Sequence, residues 1–142
     1  MPAAAGAVVD RWMIRPLGKR AVPLADFNGK IVFLNIWSTT CGPCLAEMPG
    51  IEKLQESLRG EPVAFVLVVP EEEQVVRSFL RKVHFRFPVC VADKNALEDL
   101  KVVAFPTTLI IDRGGRAVYT YEGGANWDDD NVRKFIRRLE KQ

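Results

Sequence analysis

The chain has 142 residues, 48% hydrophobic and 27% charged, which fits one soluble globular domain with a core of its own. Twenty Lys and Arg against 18 Asp and Glu leave a formal charge of only +2, and nothing in that balance suggests nucleic acid as a partner. Three cysteines are too few for a disulfide framework, and their number leaves the compartment open.

Residues 1–10 read as a loose lead-in and residues 11–142 as a single domain. The opening MPAAAGAVV has no basic n-region and is too short for a signal h-region or a transmembrane helix, although removal of an export signal or anchor is compatible with such a start. Trp12, Met13 and Ile14 predict a short strand, and Gly18-Lys19-Arg20 and Asp26 to Lys30 predict turns. The run from Ile31 to Trp37 has almost no alternation, as expected of a strand buried on both faces. Its one polar residue, Asn35, is expected to hydrogen-bond locally.

Cys41-Gly42-Pro43-Cys44 follows this strand and opens an amphipathic helix that the periodicity carries to Leu58. A pair of cysteines at a strand-to-helix turn is chemically pointed, because a helix N-terminus offers unpaired N–H groups and partial positive charge to a thiolate. Cys41, at the start of the helix, is the better candidate for the nucleophile. Cys44, one turn in, is placed to resolve a mixed disulfide. Gly42 adds little bulk beside the sulfur, and Pro43 suits the first helical turn, where its missing N–H costs nothing. Glu47 lies one turn beyond Cys44 on the same face, although an ordinary surface glutamate would satisfy the same spacing. Pro49 should kink or interrupt the helix. Zinc would need two further ligands, and only Cys90 and His84 are on offer.

Pro62 to Val69 reads as a second buried strand. Pro70 and Glu71-Glu72-Glu73 read as a helix start with acids in the favourable first turn, followed by an apolar face of Val75, Val76, Phe79, Leu80 and Val83. His84 falls near the helix end, as a C-terminal cation or a surface residue. Phe87 to Val91 is a short extended segment in which Cys90 resembles an inert buried thiol. A short helix from Asn95 to Leu100 and a segment ending at Pro106 precede a strand from Leu109 to Ile111. Asp112-Arg113-Gly114-Gly115-Arg116 is a hairpin signal into Ala117 to Tyr121. A last helix begins at Asp128 to Asp130, with Val132, Phe135, Ile136 and Leu139 inward and its arginines and lysine solvated. The order predicts an α/β domain in which a parallel βαβ unit joins an antiparallel ββα unit.

FNGKIVFLNIWSTTCGPCLAEMP, FPTTLIIDRGG and Tyr121-Glu122-Gly123 occur in order over most of the chain. In these segments the sequence resembles the thioredoxin superfamily, and within it the TlpA/ResA/CcmG-like group of bacterial extracytoplasmic thiol-disulfide oxidoreductases. The resemblance implies a thioredoxin-like fold with a central mixed β-sheet flanked by helices. It makes Cys41 the attacking and Cys44 the resolving cysteine, Pro106 the cis-proline facing them, and Phe105 a lender of backbone to a substrate chain. Glu47 matches the acid that follows the cysteine pair in ResA-like proteins, whereas thioredoxins proper carry a strand aspartate where this chain has Asn35. Thr40 stands where tryptophan is usual, so the rim beside Cys41 is less aromatic. The Gly42-Pro43 dipeptide is that of reducing thioredoxins.

The implied activity is reduction of protein disulfides, possible in cytochrome c maturation or copper-site assembly, with no cofactor or metal besides the Cys41–Cys44 pair. It implies protein thiol or disulfide substrates, an external electron donor such as a membrane thiol transporter, and a monomer. The implied location is periplasmic or otherwise extracytoplasmic, with a cytoplasmic one left open. Two other readings stand beside it. Cys41 and Cys44 suit copper(I) as a binding or chaperone module. A peroxiredoxin-like peroxidase is the other, for which Ser38 fits the signature but Leu34 occupies the place of its proline.

Overall fold

The computed structural model describes residues 9, 12–92 and 94–142; apart from Val9, the expected lead-in over residues 1–10 lies outside them. The described residues form a seven-stranded mixed sheet of order β2-β1-β5-β4-β3-β6-β7. Its centre is β3 (Ile31–Ile36), buried at every position and paired in parallel with β4 (Val63–Val69) and antiparallel with β6 (Thr107–Ile111). Strand β4 also pairs in parallel with β5 (Val89–Val91), and β6 forms a hairpin with β7 (Ala117–Glu122). On the other side β1 (Met13–Pro16) pairs antiparallel with β5 and with the short β2 (Val22–Pro23). The expected βαβ and ββα units are both present.

Helix α1 (Gly42–Ser57) connects β3 to β4, α2 (Glu73–Leu80) connects β4 to β5, and α3 (Lys94–Asp99) and α4 (Asp130–Glu140) complete the chain. Alternation along β3 sends Ile31, Phe33 and Trp37 to one face of the sheet, where they meet Cys44, Met48, Ile51 and Leu54 of α1, Val76 of α2, and Ile136 and Leu139 of α4. Val32, Leu34 and Ile36 point to the opposite face and join Trp12, Leu24, Cys90 and Leu100. Apolar side chains on both faces explain why the strand shows no alternation.

Three local expectations are corrected. Helix α1 runs through Pro49 without interruption. The proline forfeits one bond to the Leu45 carbonyl, but Met48 and Ile51 on either side are buried in the core and hold the helix together. Helix α2 starts at Glu73 with Glu72 as its cap, leaving Glu71 outside it. Val75 is 46% exposed, because in so short a helix Val76 takes the inward direction and its neighbour is turned about 100° away.

Candidate active site

Strand β3 ends beside the start of β6, with Ile36 opposite Thr107, so the chain leaving β3 and the chain entering β6 share one end of the sheet. The first carries Trp37 to Cys41, and the second carries Phe105-Pro106, whose peptide bond is cis. The return from β7 arrives at the same end. The Gly123 N–H donates to the Pro106 carbonyl at 2.8 Å, and a Cβ on Gly124 would sit 3.4 Å from the Pro43 carbonyl oxygen. Gly123 has φ +101°, which a side chain would strain. Three segments distant in sequence thus gather around the cysteine pair.

Cys41 and Cys44 are joined as a disulfide, with 5.3 Å between their Cα atoms. Cys41 is the N-cap of α1, and its Sγ accepts from the Cys44 N–H at 3.2 Å, the place a serine or aspartate oxygen usually takes. The helix therefore presents its positive end to this sulfur. Cys41 is partly exposed and flanked by exposed Thr40, Gly42 and Pro43, whereas Cys44 is fully buried. Of the two residues, only Cys41 is open to solvent. Pro106 is buried and Phe105 is 38% exposed.

Glu47 is not a surface glutamate: it is 5% exposed. Its Oε1 accepts from Asn35 Nδ2 at 2.8 Å, and its Oε2 accepts from Trp127 Nε1 at 2.8 Å and from the Ala125 N–H at 3.1 Å. Burial pushes the carboxyl above the ordinary range, and these three donors pull against that shift without cancelling it. Asn35 does not bond locally as expected. It spans to Glu47 and, at 2.9 Å, to Thr108 Oγ1 on the neighbouring strand, while its own Oδ1 has no protein partner. A polar residue in a strand buried on both faces has no local partner to find, because the ladder already uses the backbone around it.

Sequence reasoning missed Trp127, Ala125 and Thr108, which lie 80, 78 and 61 residues from Glu47. Trp127 carried one usable signal: a tryptophan in a loop just past a sheet is commonly buried, and a buried indole N–H needs an acceptor. It missed Glu71 as well, which turns back to the cysteine loop and accepts from the Thr39 N–H at 2.8 Å and the Thr39 hydroxyl at 2.9 Å.

The remaining candidates sit apart. Cys90 is buried on the opposite face of the sheet, and burial pushes its thiol up to about 11. His84 is exposed beyond α2. Among the described residues no three His, Cys, Asp or Glu side chains cluster in a way that would hold a metal, and no helix is long and apolar enough to cross a membrane.

A protein-family model described as Redoxin matches residues 14–136. The thiol-disulfide oxidoreductase ResA of Halalkalibacterium halodurans is 34% identical over 143 residues, covering 99% of this chain and 80% of the relative. ResA of Bacillus cereus is 30% identical over 137 residues, covering 94% and 78%. The crystal structure of a thiol:disulfide interchange protein DsbE from Chlorobium tepidum superposes with TM-score 0.84 at 22% identity, covering 96% of this chain and 97% of the other, a likeness of fold alone.

Proposed function

We propose, from the premise that this chain belongs to the redoxin family and is a thiol-disulfide oxidoreductase of the ResA-like group, that it reduces disulfides of protein substrates outside the cytoplasm. The observation that carries the direction of attack is the unequal placement of the two sulfurs, Cys41 open at the helix N-terminus and Cys44 buried behind it.

In the dithiol form the Cys41 thiolate attacks one sulfur of a substrate disulfide. That S–S bond breaks, a Cys41–substrate disulfide forms, and the departing substrate sulfur takes up a proton. Cys44 then loses its proton and attacks the Cys41 sulfur, expelling the second substrate thiol. Two electrons pass to the substrate, and Cys41–Cys44 becomes the disulfide. An external dithiol, such as a membrane thiol transporter, returns the two electrons. Glu47, one turn beyond Cys44 and with its carboxyl raised by burial, is the group we assign to take the Cys44 proton. Phe105 and Pro106 offer their backbone to the substrate chain, and Thr40, Gly42 and Pro43 form the rim it crosses. By resemblance the substrates are cysteine pairs of apocytochrome c or of copper-site assembly proteins, and the protein acts as a monomer without a cofactor.

The test is the equilibrium reduction potential of the pair against glutathione. A value near the thioredoxin region of about −270 mV supports a reductant, and one near the strongly oxidising end of about −120 mV reverses the direction of transfer. Glu47→Gln should slow release from the mixed disulfide and flatten its pH profile; an unchanged rate and profile removes Glu47 from the proton path.

A further inference from the structure

Between β4 and α2 the chain passes through Pro70 and Glu71, and the side chain of Glu71 leaves its own segment for the loop before Cys41. The partners are a backbone N–H and a hydroxyl of one residue, Thr39, each held by a different carboxylate oxygen. The loop is folded on itself as well. The Cys41 N–H donates to the Ser38 carbonyl at 3.2 Å, the Thr40 N–H reaches Ser38 Oγ at 3.3 Å, and the Ser38 and Thr40 hydroxyls lie 3.2 Å apart. These contacts all lie within four consecutive residues, and only Glu71 ties the turn to the rest of the domain among the side-chain bonds described for residues 38–40.

We propose that Glu71 is a positioning residue for the Cys41–Cys44 exchange: its carboxylate clamps Thr39, fixes the turn that aims Cys41, and places a negative charge beside a sulfur that must itself become negative. The first effect favours attack. The second opposes the thiolate that the α1 N-terminus stabilises, and so holds the pair toward the reducing side. Two residues of chain span at most about 7 Å between Cα atoms, so the carboxylate held on the Thr39 N–H lies within roughly 12 Å of the Cys41 sulfur. Across solvated surface at that range a unit charge changes a thiolate equilibrium about two- to threefold. The acid triplet thereby divides its labour: Glu72 caps α2, Glu73 pairs with Arg15 and Arg77, and Glu71 belongs to the cysteine loop.

Glu71→Gln separates the two effects, because its amide accepts from the Thr39 N–H and donates to the Thr39 hydroxyl without the charge. Three quantities are measured: the ultraviolet absorbance of the Cys41 thiolate against pH, the exchange constant with glutathione, and the rate of reaction with oxidised glutathione. In Glu71→Gln the thiolate should form at lower pH, and the exchange constant should move about two- to threefold toward the dithiol, or roughly 9–14 mV at 29.6 mV per tenfold. In Glu71→Ala the same charge is lost and the turn is released, so the rate should fall about tenfold below that of Glu71→Gln. A thiolate titration and exchange constant unchanged in Glu71→Gln would overturn the electrostatic half. Equal rates in the two variants would overturn the positioning half. Should Glu71→Ala fail to fold, Thr39→Val removes the hydroxyl contact alone and must still slow the reaction.

Discussion

Replacing Glu47 by alanine should destabilise the fold far more than loss of a helical surface residue. The substitution leaves the Trp127 indole N–H and the Ala125 N–H without an acceptor, while Asn35 Nδ2 keeps its bond to Thr108. A buried donor left unpaired costs about 1–3 kcal/mol, so the two together cost about 2–6 kcal/mol. With a urea m value of about 2 kcal/mol per molar, the midpoint should fall by roughly 1–3 M. Glu47→Gln should cost about 1 kcal/mol or less, since its carbonyl serves Trp127 and Ala125 while its amide faces Asn35, whose Oδ1 turns to accept it. The pH dependence supplies an independent check. The folded chain holds the Glu47 proton to higher pH than the unfolded chain, so this group's contribution is largest below the ordinary carboxylate value of 4.5. It declines as pH rises through the folded value, and the Gln variant should lack that decline. Urea titrations at several pH values, followed by tryptophan fluorescence, measure both. An alanine variant within about 0.5 kcal/mol of the parent chain would refute the network as a structural element, since surface substitutions fall in that range.

Cys44→Ser should accumulate the mixed disulfide between Cys41 and a protein substrate, visible by mass spectrometry, and Cys41→Ser should accumulate none. Cys90 should resist alkylation in the native dithiol form while Cys41 reacts, and Cys90→Ala should leave the exchange rate within twofold, because the thiol is buried with its pKa near 11 on the far face of the sheet. Arg15 and Arg77 hold Glu73 at about 2, so Glu73 favours folding above the ordinary value of 4.5 and loses that effect as pH falls toward 2. Arg15→Ala should move its NMR titration upward; no movement would refute the pairing. Gly124→Leu should slow exchange severalfold by crowding Pro43, whereas Gly124→Ala, with its Cβ at 3.4 Å, should be tolerated.

The pattern of what was legible follows the range of the interactions involved. The Cys41–Cys44 turn, the β6–β7 hairpin and the amphipathic α4 rest on contacts between near neighbours, which leave periodicity and turn residues in the sequence. Resemblance supplied Pro106, and the cis bond stands where it was expected. Glu47 was identified by its spacing and by the resemblance to ResA-like proteins, and its environment was not legible, because its partners come from β3, 12 residues back, and from a loop 78 and 80 residues on. Glu71 was misplaced for a related reason. An acid before a helical pattern reads as a first-turn residue, and nothing local distinguishes one whose side chain reaches 32 residues back to Thr39. Pro49 shows the converse, a local breaker overruled by core packing on both sides.

A single carboxylate that satisfies an amide from β3, an indole and a loop backbone makes positions 35, 47 and 127 energetically inseparable. Once Glu47 is gone, the indole N–H of Trp127 has nothing left to donate to, so exchanging Trp127 for phenylalanine costs less in that background than in the parent chain, and double-mutant cycles among the three positions close with a coupling of about 0.5–3 kcal/mol. Evolution or engineering that relocates the buried acid at this site must therefore pass through variants that change the loop and the strand together, since each single step strands a polar group in the core.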